Sequence, residues 1–191
     1  MSNLRTKERF LKELEIFHEK SYAIATKLDA NTFFARPEAG WSVAENYIHM
    51  AKVLRSMALI FAPISVPLIA LMGKSNGNPP SLEQFMKDYH SGLEKGFHSG
   101  PFAPARENPN IKDPVQRQNE ILQEWRDSFK PMAARLEGFT DDELMKKQFY
   151  HPILGKVILM DMAYMAIFHS MHHLKKASRK AGTNLLPPSL F

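Results

Sequence analysis

The chain has 191 residues, of which 44% are hydrophobic and 24% charged. Those proportions sit near the globular average, exclude a largely disordered chain and suit one compact domain. The 25 Lys and Arg outnumber the 20 Asp and Glu and give a formal net charge of +5. They are interleaved along the chain instead of forming a basic stripe with stacking aromatics, so no nucleic-acid partner is expected. No cysteine is present. That removes disulfides, iron–sulfur clusters, thiolate metal sites and any cysteine nucleophile, and it fits a cytoplasmic setting. The charged residues 1–9 carry no apolar core, so no secretory signal is expected.

Helical spacing recurs along the sequence and strand-like alternation is nearly absent. A first helix is predicted over residues 4–29, where Phe10, Leu14, Phe17, Ser21, Ala25 and Leu28 form one stripe. Residues 31–40, with Pro37 and Gly40, read as a loop. A second helix starts sharply after Ser42, because Glu45 three residues later completes a capping box, and runs to Ala62 before Pro63. Ser56 to Gly73 carries no charge, but Pro63 and Pro67 interrupt it. It falls short of the about 20 apolar residues that a membrane span needs. We expect a buried helix end and a kinked apolar segment that acts as a lid or a homodimer surface.

Residues 73–80 break the pattern, and Ser81 to Phe97 predicts a shorter accessory helix capped by Ser81. Residues 98–110 are too rich in Gly, Pro and Asn to be regular. A third long helix is predicted from Asp113, with Pro114 at its first position, to Leu136, with Gly138 as its stop. Thr140 and Glu143 form a second capping box that opens a short helical turn. Residues 150–155 read as a connector, and a fourth long helix runs from Lys156 to Lys180. Gly182 and the prolines at 187 and 188 end it, leaving 182–191 as a flexible tail of a single domain over 1–191. Four long helices argue an all-α four-helix bundle, and the long connection between the second and third permits a crossover carrying the accessory helix.

Eight histidines stand out. His169 and His173 are four apart on the fourth helix, so their rings share one face. That face continues through Leu159, Met162, Ala166 and Ala177 at bundle-seam spacing. Imidazoles in an apolar seam are costly unless their nitrogens are satisfied, and a divalent metal satisfies two at once. The bland alternative is a flanking pair, and His172 offers a second pairing. Ser170 stands where a zinc-protease helix would need its glutamate. On the second helix, Glu45, His49, Lys52 and Ser56 form a polar stripe that spacing alone leaves as either a solvated face or a polar cavity wall. His18, His90, His98 and His151 read as structural or exposed. Methionines 160, 162, 165 and 171 read as core filler, Trp41 as a packing anchor and Glu45 as a cap.

Two segments carry a family resemblance. RPEAGWSVAENYIHM, residues 36–50, resembles the start of the second helix in the DinB/YfiT-like superfamily. HPILG at 151–155, followed by HSMHHL at 169–174, resembles its fourth-helix region. The resemblance implies a DinB-like four-helix bundle with a long crossover between helices two and three. It also implies a divalent metal, held by His49, His169 and His173, with zinc or nickel expected and manganese or iron as alternatives. His172 falls at a position outside the ligand set. The family includes metal-dependent thiol transferases, so the resemblance implies an S-transferase that joins a low-molecular-weight thiol to an electrophilic small molecule. A metal-dependent hydrolase and a non-catalytic binding or dimerisation module are the alternatives. The accessory helix and the apolar segment 57–72 are additions to the minimal bundle, expected to cover the mouth of the site.

Overall fold

Side-chain caps decide where most helices begin. In the computed structural model, which describes residues 5–75, 79–94, 100–107 and 110–188, α1 (Lys7–Ala25) starts after Thr6, whose hydroxyl accepts from the Arg9 N–H. It stops short of the predicted end at residue 29. Asp29 instead caps a separate short helix, α2 (Ala30–Phe34), inside the predicted loop, with its carboxylate accepting from the Thr32 N–H. Helix α3 (Val43–Met57) carries the expected capping box between Ser42 and Glu45. Beyond it the chain tightens into 3-10 turns at Ala58–Phe61 and Pro63–Ser65 before α4 (Val66–Met72). The accessory helix α5 spans Leu82–Glu94, while predicted positions 95–97 lie outside the described residues.

Helix α6 (Pro114–Asp127) begins after the Asp113 cap, as predicted. One helix was expected to continue to Leu136, but the chain breaks at 128–129 and resumes as α7 (Lys130–Leu136). Pro131 explains the break: it has no N–H, and its ring would clash with the carbonyl of residue 127. Helix α8 (Asp141–Lys146) has the second capping box.

The predicted connector is an antiparallel hairpin, β1 (Gln148–His151) and β2 (Gly155–Ile158), with Gln148 opposite Ile158 and His151 opposite Gly155. The His151 ring accepts from the N–H groups of Ile153 and Leu154, and Gly155 takes φ 72° to close the turn. The fourth long helix therefore starts at Leu159, not Lys156, because Val157 and Ile158 are β-branched and join the strand. This helix, α9 (Leu159–Ala181), ends on Gly182 in the left-handed region. Within the predicted tail, Leu185 is buried and its N–H donates to Ser178 Oγ.

The long helices form a ring in which α3 packs on α9 and α6, and α1 packs on α6 and α9. Their directions follow from paired residues. His18 meets Trp125, and Gln118 meets Ala25 and Leu28, so α1 and α6 run oppositely. Asn46 meets His173 and His49 meets His169, so α3 and α9 run oppositely. Arg5 meets Asp161 and Glu13 meets Tyr164, so α1 and α9 run the same way. Helices α3 and α6 are therefore parallel neighbours, and the chain between them must travel back along the bundle. Residues 58–113 make that crossover.

Trp125 sits at the centre of the ring, fully buried, with its indole N–H donating to Ser21 Oγ at 2.8 Å. His18 stacks on it at 4.0 Å and bonds the Trp125 carbonyl, so this histidine is a core residue. Arg5 donates to Asp161 and to the Pro80 carbonyl, joining the starts of α1 and α9 to the segment that leads into α5. No single described helix is long and apolar enough to cross a membrane. Val43–Phe61 and Pro63–Met72 meet that standard only together, bent by 62°.

Gly92 fixes how closely α5 lies against the hairpin, since a Cβ there would overlap the Ile153 side chain. Gly92→Ala gains about 1 kcal/mol of helix propensity, but a Cβ well inside contact distance of Ile153 Cγ2 puts the overpacking cost at the upper end of its range, about 3 kcal/mol. The variant should melt lower than wild type, with faster amide exchange concentrated in α5. An unchanged melting temperature would contradict this packing.

Candidate metal centre

Two helices, α3 and α9, bring the three predicted histidines together. The apolar faces of α3 and α9 pack against each other, and the antiparallel register sets His49 beside His169 and Asn46 beside His173. One ring nitrogen from each of His49, His169 and His173 lies within 4.8 Å of the others. The Nε2 atoms of His49 and His169 are 3.1 Å apart. Two ligands of one zinc ion at about 2.0–2.1 Å in tetrahedral geometry sit about 3.3 Å apart, so the spacing fits a shared ion.

The other nitrogen of each ring is already engaged. His49 Nδ1 lies 2.8 Å from the Phe102 carbonyl, His173 Nδ1 3.0 Å from Asn46 Oδ1 and His169 Nδ1 2.9 Å from the Tyr89 hydroxyl. A carbonyl can only accept, so His49 carries its proton on Nδ1 and leaves a lone pair on Nε2. Asn46 is equally definite. Its amide nitrogen donates to the Ser42 carbonyl at 2.8 Å, which turns Oδ1 toward His173 and makes that Nδ1 a donor too. Metal-binding histidines have this arrangement, one nitrogen on the ion and the other fixed by an oxygen. The triad could hold a divalent ion with open positions left for a ligand.

Burial keeps the rings neutral. It pushes His169 down to about 3 and lowers His49 and His173 as well, with neighbouring positive charge adding to the effect. Lys176 acts on all three rings, and Lys52 on His49. Neutral rings are the ligating form, so binding an ion at neutral pH requires no net release of protons from the three rings.

The polar stripe on α3 splits between its two readings: Glu45 and His49 are buried, whereas Lys52 is exposed. Trp41 does more than anchor a helix, since its ring stacks 5.6 Å from His173 and lies 4.8 Å from His49. Glu45 is the cap that the sequence indicates. His172 stands edge-on to His173 and faces His90, outside the triad. His151 belongs to the hairpin turn, and His98 lies outside the described residues.

Three functional groups escaped sequence reasoning: Asn46, Tyr89 and the Phe102 carbonyl. Asn46, a weak helix former one turn before His49, was the one local signal. The other two come from the crossover, which thus holds two of the three rings. A surface groove lined by Arg55, Arg117, Glu120 and Asp127 lies elsewhere. Its charges pair with neighbours, as Arg117 with Glu120 and Asp127 with Lys130, and it has no comparable convergence of ligands.

The depressed histidines make stability depend on pH. In the unfolded chain these rings titrate near about 6.5. In the metal-free fold they stay neutral well below that, so the unfolded state binds more protons as pH falls. Stability is complete above pH about 6.5 and falls by about 1.4 kcal/mol per pH unit for each such ring on acidification. In chelator, wild type should therefore lose stability more steeply than His173→Ala between pH about 6.5 and 4 in urea titrations. Parallel slopes would contradict the buried, neutral His173.

Comparison with curated proteins and with solved structures finds no match. A family model for the DinB superfamily matches residues 13–177, a stretch that takes in α3 and α6 whole, most of α1 and α9, and all three clustered histidines. The chain belongs to the DinB superfamily.

Proposed function

We propose that this protein is a divalent-metal-dependent S-transferase whose ion is held by His49, His169 and His173. The observation that carries the reading is the convergence of one nitrogen from each ring while the opposite nitrogens are tied to oxygen partners. A zinc or nickel ion held by these three residues would supply positive charge that lowers the pKa of a thiol or a water.

The chain's own residues support a thiol as the nucleophile. Lys52 and Lys176 add positive charge around the rings and favour an anion such as a thiolate. Trp41 provides an apolar wall beside His173 for the electrophilic partner. In the transfer, the thiol loses its proton to solvent and its sulfur pair forms the new bond to carbon. The carbon's bond to its leaving group breaks, and that group departs with the bonding electrons. The same site with water as nucleophile would make the protein a hydrolase.

The apolar segment supports homodimerisation as part of this reading. Ile64 is 83% and Leu71 76% exposed, and Leu59, Val66 and Leu68 are exposed beside them. A monomeric mass by light scattering would overturn that part.

Elemental analysis of untagged protein should find one divalent ion per chain in wild type and none in His173→Ala. Loaded wild type should conjugate a low-molecular-weight thiol to chlorodinitrobenzene, and chelation or His173→Ala should abolish turnover. Failure to load after reconstitution with zinc, nickel and manganese would end the metalloenzyme reading. Loading without thiol-dependent turnover, but with ester hydrolysis, would favour the hydrolase.

A further inference from the structure

The three rings are not held alike. The partners of His49 and His173 can only accept, so they dictate one tautomer. The partner of His169 is the Tyr89 hydroxyl at 2.9 Å, which can donate or accept. Tyr89 is 3% exposed and lies on the accessory helix α5.

Without metal, the 3.1 Å between His169 Nε2 and His49 Nε2 needs a proton between them. His49 cannot supply it, because its proton is committed to the Phe102 carbonyl. His169 must therefore carry its proton on Nε2, and its Nδ1 then accepts from Tyr89. One unbroken chain results: Tyr89 donates to His169, His169 to His49, and His49 to Phe102. With metal, every Nε2 must offer a lone pair. His169 then carries its proton on Nδ1, and Tyr89 has to accept it. The number of protons on the pair is unchanged; the ring proton moves from Nε2 to Nδ1, and the hydroxyl turns.

We propose that Tyr89 is a positioning residue that reverses its hydrogen bond to His169 on metal loading, and so links the accessory helix α5 to occupancy of the site. The inference rests on the reading of the triad as a metal centre. Tyr89 sits behind His169, not on the ion. Its loss leaves the Nδ1 proton of metal-loaded His169 buried without an acceptor.

The test uses the full chain labelled with nitrogen-15 histidine, with zinc as the probe. Long-range proton–nitrogen spectra of metal-free wild type should show His169 protonated on Nε2 and His49 and His173 on Nδ1. After zinc is added, all three should be protonated on Nδ1. Tyr89→Phe should weaken zinc binding about 10–100-fold, the range for loss of a group that orients a metal ligand. Zinc should slow amide exchange in α5 of wild type but not of Tyr89→Phe. Phe85→Leu, which loosens α5 against Phe168 and keeps the hydroxyl, should retain near wild-type zinc affinity. The proposal is overturned if metal-free His169 is already protonated on Nδ1, or if Tyr89→Phe binds zinc like wild type. It also falls if Phe85→Leu weakens binding as much as Tyr89→Phe, since helix packing would then explain both. If wild type itself binds no zinc while metal-free His169 is protonated on Nε2, the failure lies in the metal-centre reading, and the switch falls with it.

Discussion

Three hydrogen bonds at Nδ1 hold the three imidazoles, and three separate elements deliver the oxygen partners. Asn46 comes from α3, one turn from His49. Tyr89 comes from α5, and the Phe102 carbonyl from the 3-10 turn at Gly100–Phe102. Without these partners the rings would be free to turn, and a buried imidazole nitrogen with no partner carries a desolvation cost of about 1–3 kcal/mol. With them, the tautomers of His49 and His173 are fixed and two lone pairs already point inward.

The parallel run of α3 and α6 explains why the crossover exists and why it meets the site. A short loop cannot join two parallel neighbours, so the chain must return along the bundle. The return path passes the α3–α9 seam, where it contributes a tyrosine and a backbone carbonyl. Arg5 secures that path at its middle by donating to the Pro80 carbonyl while pairing with Asp161 at the start of α9. A buried pair of this kind is weak evidence for net stability, because desolvation offsets much of the attraction. Its visible consequence is geometric: α1, α9 and the segment entering α5 are held in one register.

Much of the frame was legible in the sequence because its signals are local. Ser42 with Glu45, Thr140 with Glu143, and Asp113 with Pro114 each declare a helix start within four residues. His169 and His173 share a face by spacing alone. What was not legible depends on competition or on distance. Val157 and Ile158 fit a helical count, yet pairing with Gln148 and Phe149 makes them strand. Pro131 marks the break between α6 and α7, a signal that a reading based only on the Asp113–Pro114 start and the Gly138 stop passes over. The partners of the site lie far along the chain, 127 residues from Asn46 to His173, 80 from Tyr89 to His169 and 53 from His49 to Phe102. No periodicity rule connects residues at that separation. His49 itself became a candidate through family resemblance, since its polar stripe supported two readings.

The proposed metal centre requires that the three Nε2 atoms be the ligating set. The most direct measurement is a crystal structure of zinc-soaked protein with anomalous differences collected at the zinc edge. A single strong peak is expected about 2.0–2.1 Å from Nε2 of His49, His169 and His173, with the three Nδ1 bonds intact. A map without a peak in the triad, or a zinc bound through any Nδ1 with its oxygen partner displaced, would contradict it.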